Sequence, residues 1–234
     1  MQVAVAEVVD LAETPLRELN RRLHALDPLR PEPRQWRVLN PNGEHAVACG
    51  LDADVTVEVE GHVGYYCAGM NKLATVRVHG NAGTGVAENI MSGTVVVKGS
   101  ASQSAGATGR GGLLVVEGDA AARCGISMKG VDIVVRGSVG HMSAFMAQSG
   151  RLVVCGDAGD ALGDSIYEAR LYVRGTVAAL GADCIEKEVR PEHVAELRAL
   201  LEQSGCGDVD PAEFRRYGSA RELYNFNIDN AGAY

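Results

Sequence analysis

A short apolar segment ending in glycine recurs seven times between Val57 and Gly175: VEVEG, VRVHG, VVVKG, LVVEG, IVVRG, LVVCG and LYVRG. The closing residues are Gly61, Gly80, Gly99, Gly118, Gly137, Gly156 and Gly175, each 19 residues after the last, with no insertion or deletion. Two residues before each glycine stands a valine: Val59, Val78, Val97, Val116, Val135, Val154 and Val173. Four residues before it stand Val57, Val76, Val95, Leu114, Ile133, Leu152 and Leu171. A fixed period of this length is the signature of a stacked-repeat architecture.

Two apolar β-formers separated by one residue put both side chains on one face of a strand. The residue just before each glycine points the other way. That column reads Glu60, His79, Lys98, Glu117, Arg136, Cys155, Arg174 and is mostly charged, so it faces water. Two residues after the glycine lies a small apolar column from Val63 and Ala82 to Val177. Seven residues after it every residue is Gly or Ala, which suits a corner where backbone packs on backbone. Nineteen residues are too few for two strands and a crossover helix but enough for one turn of a solenoid. A β-sandwich of regular hairpins would need turns of varying length, and the invariant period opposes it. The expectation is an all-β chain: a parallel β-helix of about seven 19-residue coils, rising about 4.8 Å per coil.

The coils run from about residue 45 to 185, which leaves an N-terminal extension, 1–44, and a C-terminal extension, 186–234. Residues 1–12 can pair as a strand through Val3, Val5, Val8 and Val9. Thr14-Pro15 reads as an N-cap followed by proline at the first helical position, with a stripe of Leu16, Leu19, Leu23 and Leu26. Four prolines between Pro28 and Pro41 predict an irregular segment, with the lone Trp36 packed against the first coil. Pro191 opens a second helix, with Val194, Leu197, Leu200 and Leu201 on one side and Gly205 at its end. Solenoids expose edges at both ends, and the two helices are the natural caps.

A net charge of −8 sets a nucleic-acid backbone aside as partner. No apolar run reaches the roughly 20 residues of a membrane span, and the start lacks the pattern of a signal peptide. Six scattered cysteines without a Cys-x-x-Cys pair fit a reduced, cytoplasmic protein. Cys67 and Cys124 share a column, but three coils put them roughly 14 Å apart, too far for a disulfide.

A search for chemistry yields no catalytic, cofactor-binding or metal site. The six histidines fall in different columns or outside the stack. Gly80-Asn-Ala-Gly-Thr-Gly superficially follows a dinucleotide fingerprint, but that motif needs a helix after it, and here the next strand arrives instead. Calcium nonapeptides and six-residue acyltransferase repeats are absent. The outward column alternates in sign through Lys98, Glu117 and Arg136 and reads as a surface ion ladder rather than an acid/base pair. What remains is a stiff post with flat faces of small residues, suited to docking another subunit. The smoothest stretch is SASQSAGATGRGG from Ser100 to Gly112, with Ser102, Gln103 and Arg110 as candidate contacts. The tail after Glu222 adds Tyr224, Phe226, Ile228 and Tyr234 as candidate anchors.

The block GNAGTGVAENIMSGTVVVKG, with GYYCAGM before it and RGGLLVVEG after, resembles the glycine-repeat (Gly-x-Gly-x-Gly) domain of the glutamate synthase large subunit. It is similar also to the C subunit of formylmethanofuran dehydrogenase. The resemblance covers about residues 45–185. The free-standing form, with its leading helix and the tail RELYNFNIDNAGAY, looks like the small β-helix subunit of N-methylglutamate synthase. The chain departs from the strict motif where Ser102, Ala121 and Ala178 replace the third glycine, and Gln2 follows Met1 where an amidotransferase would carry its nucleophilic cysteine. The resemblance implies a right-handed, single-stranded β-helix without catalytic residues. It implies a hetero-oligomer with a glutaminase-like amidotransferase subunit and a subunit that binds FMN and an iron–sulfur cluster. The implied reaction joins methylamine to L-glutamate, giving N-methyl-L-glutamate and ammonia. Other complexes of the superfamily, or an independent β-helix enzyme or binding protein, are the alternatives.

Overall fold

The computed structural model describes residues 6–27 and 34–223. In chain order the elements are β1 (Glu7–Asp10), α1 (Leu16–His24), β2 (Arg34–Leu39), β3 (Val55–Glu60), β4 (Thr75–Val78), β5 (Thr94–Val97) and β6 (Leu113–Val116). There follow β7 (Lys129–Val135), β8 (Ser149–Val154), β9 (Arg170–Val173), β10 (Cys184–Lys187), α2 (Pro191–Gln203) and β11 (Arg215–Ser219). One sheet runs β1-β2-β3-β4-β5-β6-β7-β8-β9-β11-β10. Every pair from β1 to β9 is parallel, and the repeat positions align: Val57 with Val76, Val76 with Val95, Val95 with Leu114. A second parallel ladder of single bridges links Val63, Ala82, Ala101, Ala120, Val139, Ala158 and Val177. The chain is therefore a β-solenoid of 19-residue coils.

The core is the one the spacing predicts. All fourteen residues two and four places before the periodic glycines are 0% exposed. At roughly 1.5–3 kcal/mol each, their burial is the main favourable contribution to folding. The glycines themselves are required by stacking. A Cβ on Gly80 would lie 2.6 Å from the carbonyl carbon and oxygen of Gly61. The N–H of Gly99 donates to Gly80 O at 3.0 Å, and Gly118 to Gly99 O at 2.9 Å. The Gly/Ala column seven residues on has a different cause. Ala68, Ala87 and Ala144 hold φ of 52°, 55° and 56° and are fully buried, so larger side chains fit neither the backbone nor the space.

At the N-terminal end α1 closes the core. Leu19 and Leu23 are buried in it, and Leu16 and Leu26 pack at its border. Asn20 fixes the helix to the first coil: its Nδ2 donates to Ala46 O at 2.9 Å, and its Oδ1 accepts the N–H of Ala48 at 3.1 Å. The expected cap differs in detail. Pro15 precedes the first helical residue, and no side chain caps the helix.

Three further expectations are corrected. The proline-rich segment contains β2, whose Trp36 and Val38 are buried opposite Val57 and Val59. The parallel ladder thus begins before residue 45. Second, α2 is not an end cap. It lies along the outer face of the sheet, where Leu197, Leu200 and Leu201 pack with Val115, Val134, Val153 and Tyr172. The C-terminal edge is closed instead by β11, which runs antiparallel to both β9 and β10. Third, the ion ladder stops at Glu117. Lys98 Nζ lies 2.6 Å from Glu117, but Arg136 turns to Asp208 at 2.9 Å, drawn by the segment that follows α2.

Candidate functional site

The polar side chains are organised along the stack. Immediately after each periodic glycine stands an acceptor: His62, Asn81, Ser100, Asp119, Ser138, Asp157, then Thr176. Each of the first six takes the backbone N–H of its successor one coil on. His62 Nδ1 accepts from Asn81 at 2.9 Å, Asn81 Oδ1 from Ser100 at 2.9 Å, and Ser100 Oγ from Asp119 at 3.2 Å. Asp119 Oδ1 then accepts from Ser138 at 2.8 Å, Ser138 Oγ from Asp157 at 3.0 Å, and Asp157 Oδ1 from Thr176 at 2.7 Å. The Thr176 hydroxyl adds a second bond to Asp157 at 2.8 Å, and these bonds hold the Asp157 carboxyl below its usual titration range. Sequence reasoning passed over this column, although its signal was present: a polar acceptor at one fixed place in every coil.

The outer strand face carries ion pairs between neighbouring coils. Glu58 receives Arg77 Nη1 at 2.8 Å and His79 Nε2 at 2.7 Å. Burial opposes ionisation of Glu58, and the bonds from His79 and Arg77 outweigh it, so its pKa is lowered. Arg151 pairs with Asp132, and Glu196 of α2 meets Arg170 at 2.5 Å and the Tyr172 hydroxyl at 3.1 Å. Burial first, then Glu196, pushes the Tyr172 phenol up. Each of these groups faces a partner within the fold, and none is aimed at an open cleft.

The six cysteines are spread over the coils and the C-terminal extension. All six are free thiols, and burial pushes Cys67, Cys124 and Cys184 up to about 12. Cys67 and Cys124 lie three coils apart, and among the described residues no three His, Cys, Asp or Glu side chains gather as a metal site. Among the described residues no helix is long and apolar enough to cross a membrane.

Of the docking candidates, Ser102 is half-buried with its Oγ 3.5 Å from Thr84 Oγ1, and Gln103 and Arg110 are exposed. Ser102 and Gln103 begin the turn-rich part of their coil, and Arg110 ends it, so the three do not form one cluster. Tyr224, Phe226, Ile228 and Tyr234 lie outside the described residues. The sequence reading overlooked an exposed aromatic group on the first coil. The His45 and Tyr65 rings stack 4.4 Å apart at 5°, and Tyr66 stands edge-on to Tyr65 at 6.4 Å.

No family model matches the chain. A comparison with curated proteins finds it 68% identical over 227 residues to "Protein GlxC" of Rhizobium meliloti (strain 1021), covering 97% of this chain and 99% of that protein.

Proposed function

The chain belongs to the family of Protein GlxC, and on that premise we propose that it is a noncatalytic scaffold subunit of a glutamate-synthase-like amidotransferase/flavin complex. The observation that carries the reading is the glycine column. Gly61 to Gly175 stack at van der Waals limits, and from Gly80 to Gly175 N–H to O=C bonds run from one glycine to the next, in a block whose sequence resembles the glycine-repeat domain of glutamate synthase. Such a post is stiff along its length, because each coil bonds to its neighbours through two backbone ladders and a side-chain ladder. Stiffness is what holds two catalytic subunits at a fixed separation. In this reading a glutaminase-like subunit and a subunit carrying FMN and an iron–sulfur cluster perform the chemistry. The specific assignment is N-methyl-L-glutamate synthase, which makes N-methyl-L-glutamate and ammonia from methylamine and L-glutamate. The polar atoms of this chain support a structural role, since those of the ladders are engaged within the stack.

The test is isolation of the native assembly. The full-length chain, tagged and expressed in its own host, should co-elute with an amidotransferase-type and a flavin-binding subunit. The pool should show flavin absorbance and form N-methyl-L-glutamate from methylamine and L-glutamate. A chain that elutes without either subunit would refute the scaffold reading, and an intact complex inactive on methylamine would refute the specific reaction.

A further inference from the structure

On the turn side of the first two coils, Tyr65, Tyr66, Met70, Leu73 and Met91 are each 45–50% exposed. These are large apolar side chains on adjoining coils, and their aromatic part is held in place. Tyr65 stacks on His45, and Tyr66 lies against Gly85, where an added Cβ would come within 2.7 Å of its ring. Large apolar side chains left exposed on adjoining coils mark an interaction site, and Tyr, Met and Arg are the residues that interfaces enrich.

The next two coils continue the strip with positive charge. Arg110 and Lys129 follow Met91 at successive 19-residue steps, so they stand one above another about 4.8 Å apart. Both are exposed, and neither makes an ion pair among the described residues. Other cations such as Arg123 and Lys187 also lack an ion pair among the described residues, but where two cations stand in register elsewhere, as Arg151 and Arg170 do, an acid joins them: Glu196 lies within 3.9 Å of Arg151 and 2.5 Å of Arg170. Like charges in register across neighbouring strands are destabilising. On a chain of net charge −8, an unneutralised pair of cations beside an apolar patch points to an anion supplied from outside.

We propose that the strip from Met70 through Met91 to Arg110 and Lys129 receives a partner-subunit segment bearing an apolar anchor followed by carboxylates. The anchor would lie over the first two coils, and the carboxylates one to two coil rises further on. This deepens the scaffold reading and rests on it, since it names the face and the chemistry by which a catalytic subunit is held.

The test uses the full-length chain with its flavin and amidotransferase partner subunits, with affinity measured at about 50 and 300 mM salt. Arg110→Glu with Lys129→Glu should weaken binding at least about tenfold at low salt and flatten its salt dependence. Met70→Ser with Met91→Ser should weaken binding at both salt concentrations and leave the salt dependence intact. Lys98→Glu, on the strand face, should bind as the unmodified chain does. Unchanged affinity in both double variants, with unchanged melting temperatures, overturns the strip as a docking face. If the chain alone is a dimer that Met70→Ser with Met91→Ser splits, the occupant is a second copy and the proposal falls. If removing residues 224–234 makes the strip newly reactive to a methionine-oxidising probe, the occupant is the chain's own tail, and the proposal falls likewise. Failure of the unmodified chain to bind either partner subunit overturns the scaffold reading itself, a result distinct from all of these.

Discussion

The carboxylate of Asp119 accepts the backbone N–H of Ser138, 2.8 Å away and one coil further along the stack. Ser138 in turn accepts from Asp157 at 3.0 Å, so the bond is one rung of a chain that crosses the solenoid. The turn after each glycine has no strand ladder of its own at that point, and these side chains supply the missing acceptors. Asp119→Ala should cost about 0.5–1.5 kcal/mol, whereas Asp119→Asn keeps an acceptor oxygen and should cost less. Urea denaturation of both variants checks this. Equal losses would mean that the rung contributes nothing.

Val116 lies in the fourth of the seven coils and is 0% exposed, while its neighbour Glu117 faces out and pairs with Lys98. Val116→Asp buries a carboxylate between Val97 and Val135 and should cost several kcal/mol, on the order of 3–5. Glu117→Lys loses one exposed ion pair and should cost less than about 1 kcal/mol. Comparable losses in melting temperature would overturn the inward and outward assignment.

Gly80 tests the stacking argument separately from the left-handed turns. Its φ is not in the left-handed region, so Gly80→Ala is opposed by the Gly61 backbone 2.6 Å away and not by its own torsion. The cost should be about 1–3 kcal/mol. Gly207→Ala, whose Cβ would meet nothing nearer than 3.6 Å, should stay within about 0.5 kcal/mol of the parent. A Gly80→Ala chain as stable as Gly207→Ala would show that the coils are not in close contact there.

Asp157 links the ladder to pH. Bonds from the Thr176 N–H and hydroxyl lower its pKa from the ordinary 3.8. A carboxyl whose folded pKa is depressed stabilises the fold above its unfolded value and loses that contribution as pH falls through the folded one. The parent should therefore lose stability below pH 3.8 more steeply than Asp157→Asn, which cannot titrate. Melting temperatures recorded from neutral pH into this acid range give the comparison. Identical slopes would remove Asp157 from the acid response.

Much of the fold is legible in the sequence because the solenoid repeats one physical problem seven times. Val59 and its six equivalents, with Val57 and its six, declare the buried face without ambiguity. The rest is hidden where the rhythm breaks. Trp36 pairs with Val57, 21 residues away rather than 19, and prolines flank its strand, so β2 escapes a search for a fixed period. The position of α2 was readable in principle. The outward residue three before each glycine changes from Glu58 and Arg77 to Val96, Val115, Val134, Val153 and Tyr172, and an apolar outer face requires a cover. The aromatic group on the first coil lay outside the columns altogether, since Tyr65 has Thr84, Gln103 and Ala122 as its equivalents. Arg110 was singled out from a flat stretch of small residues, but its relation to Lys129 and Met91 emerges only when the coils are stacked.

The most direct measurement of the central claim is reconstitution with and without this chain. The purified chain alone should show no flavin absorbance and release no ammonia from glutamine. The flavin and amidotransferase subunits should form N-methyl-L-glutamate from methylamine and L-glutamate only when the chain is added, with all three co-eluting as one species. Stoichiometric flavin on the isolated chain, or turnover by it without partners, would contradict the account.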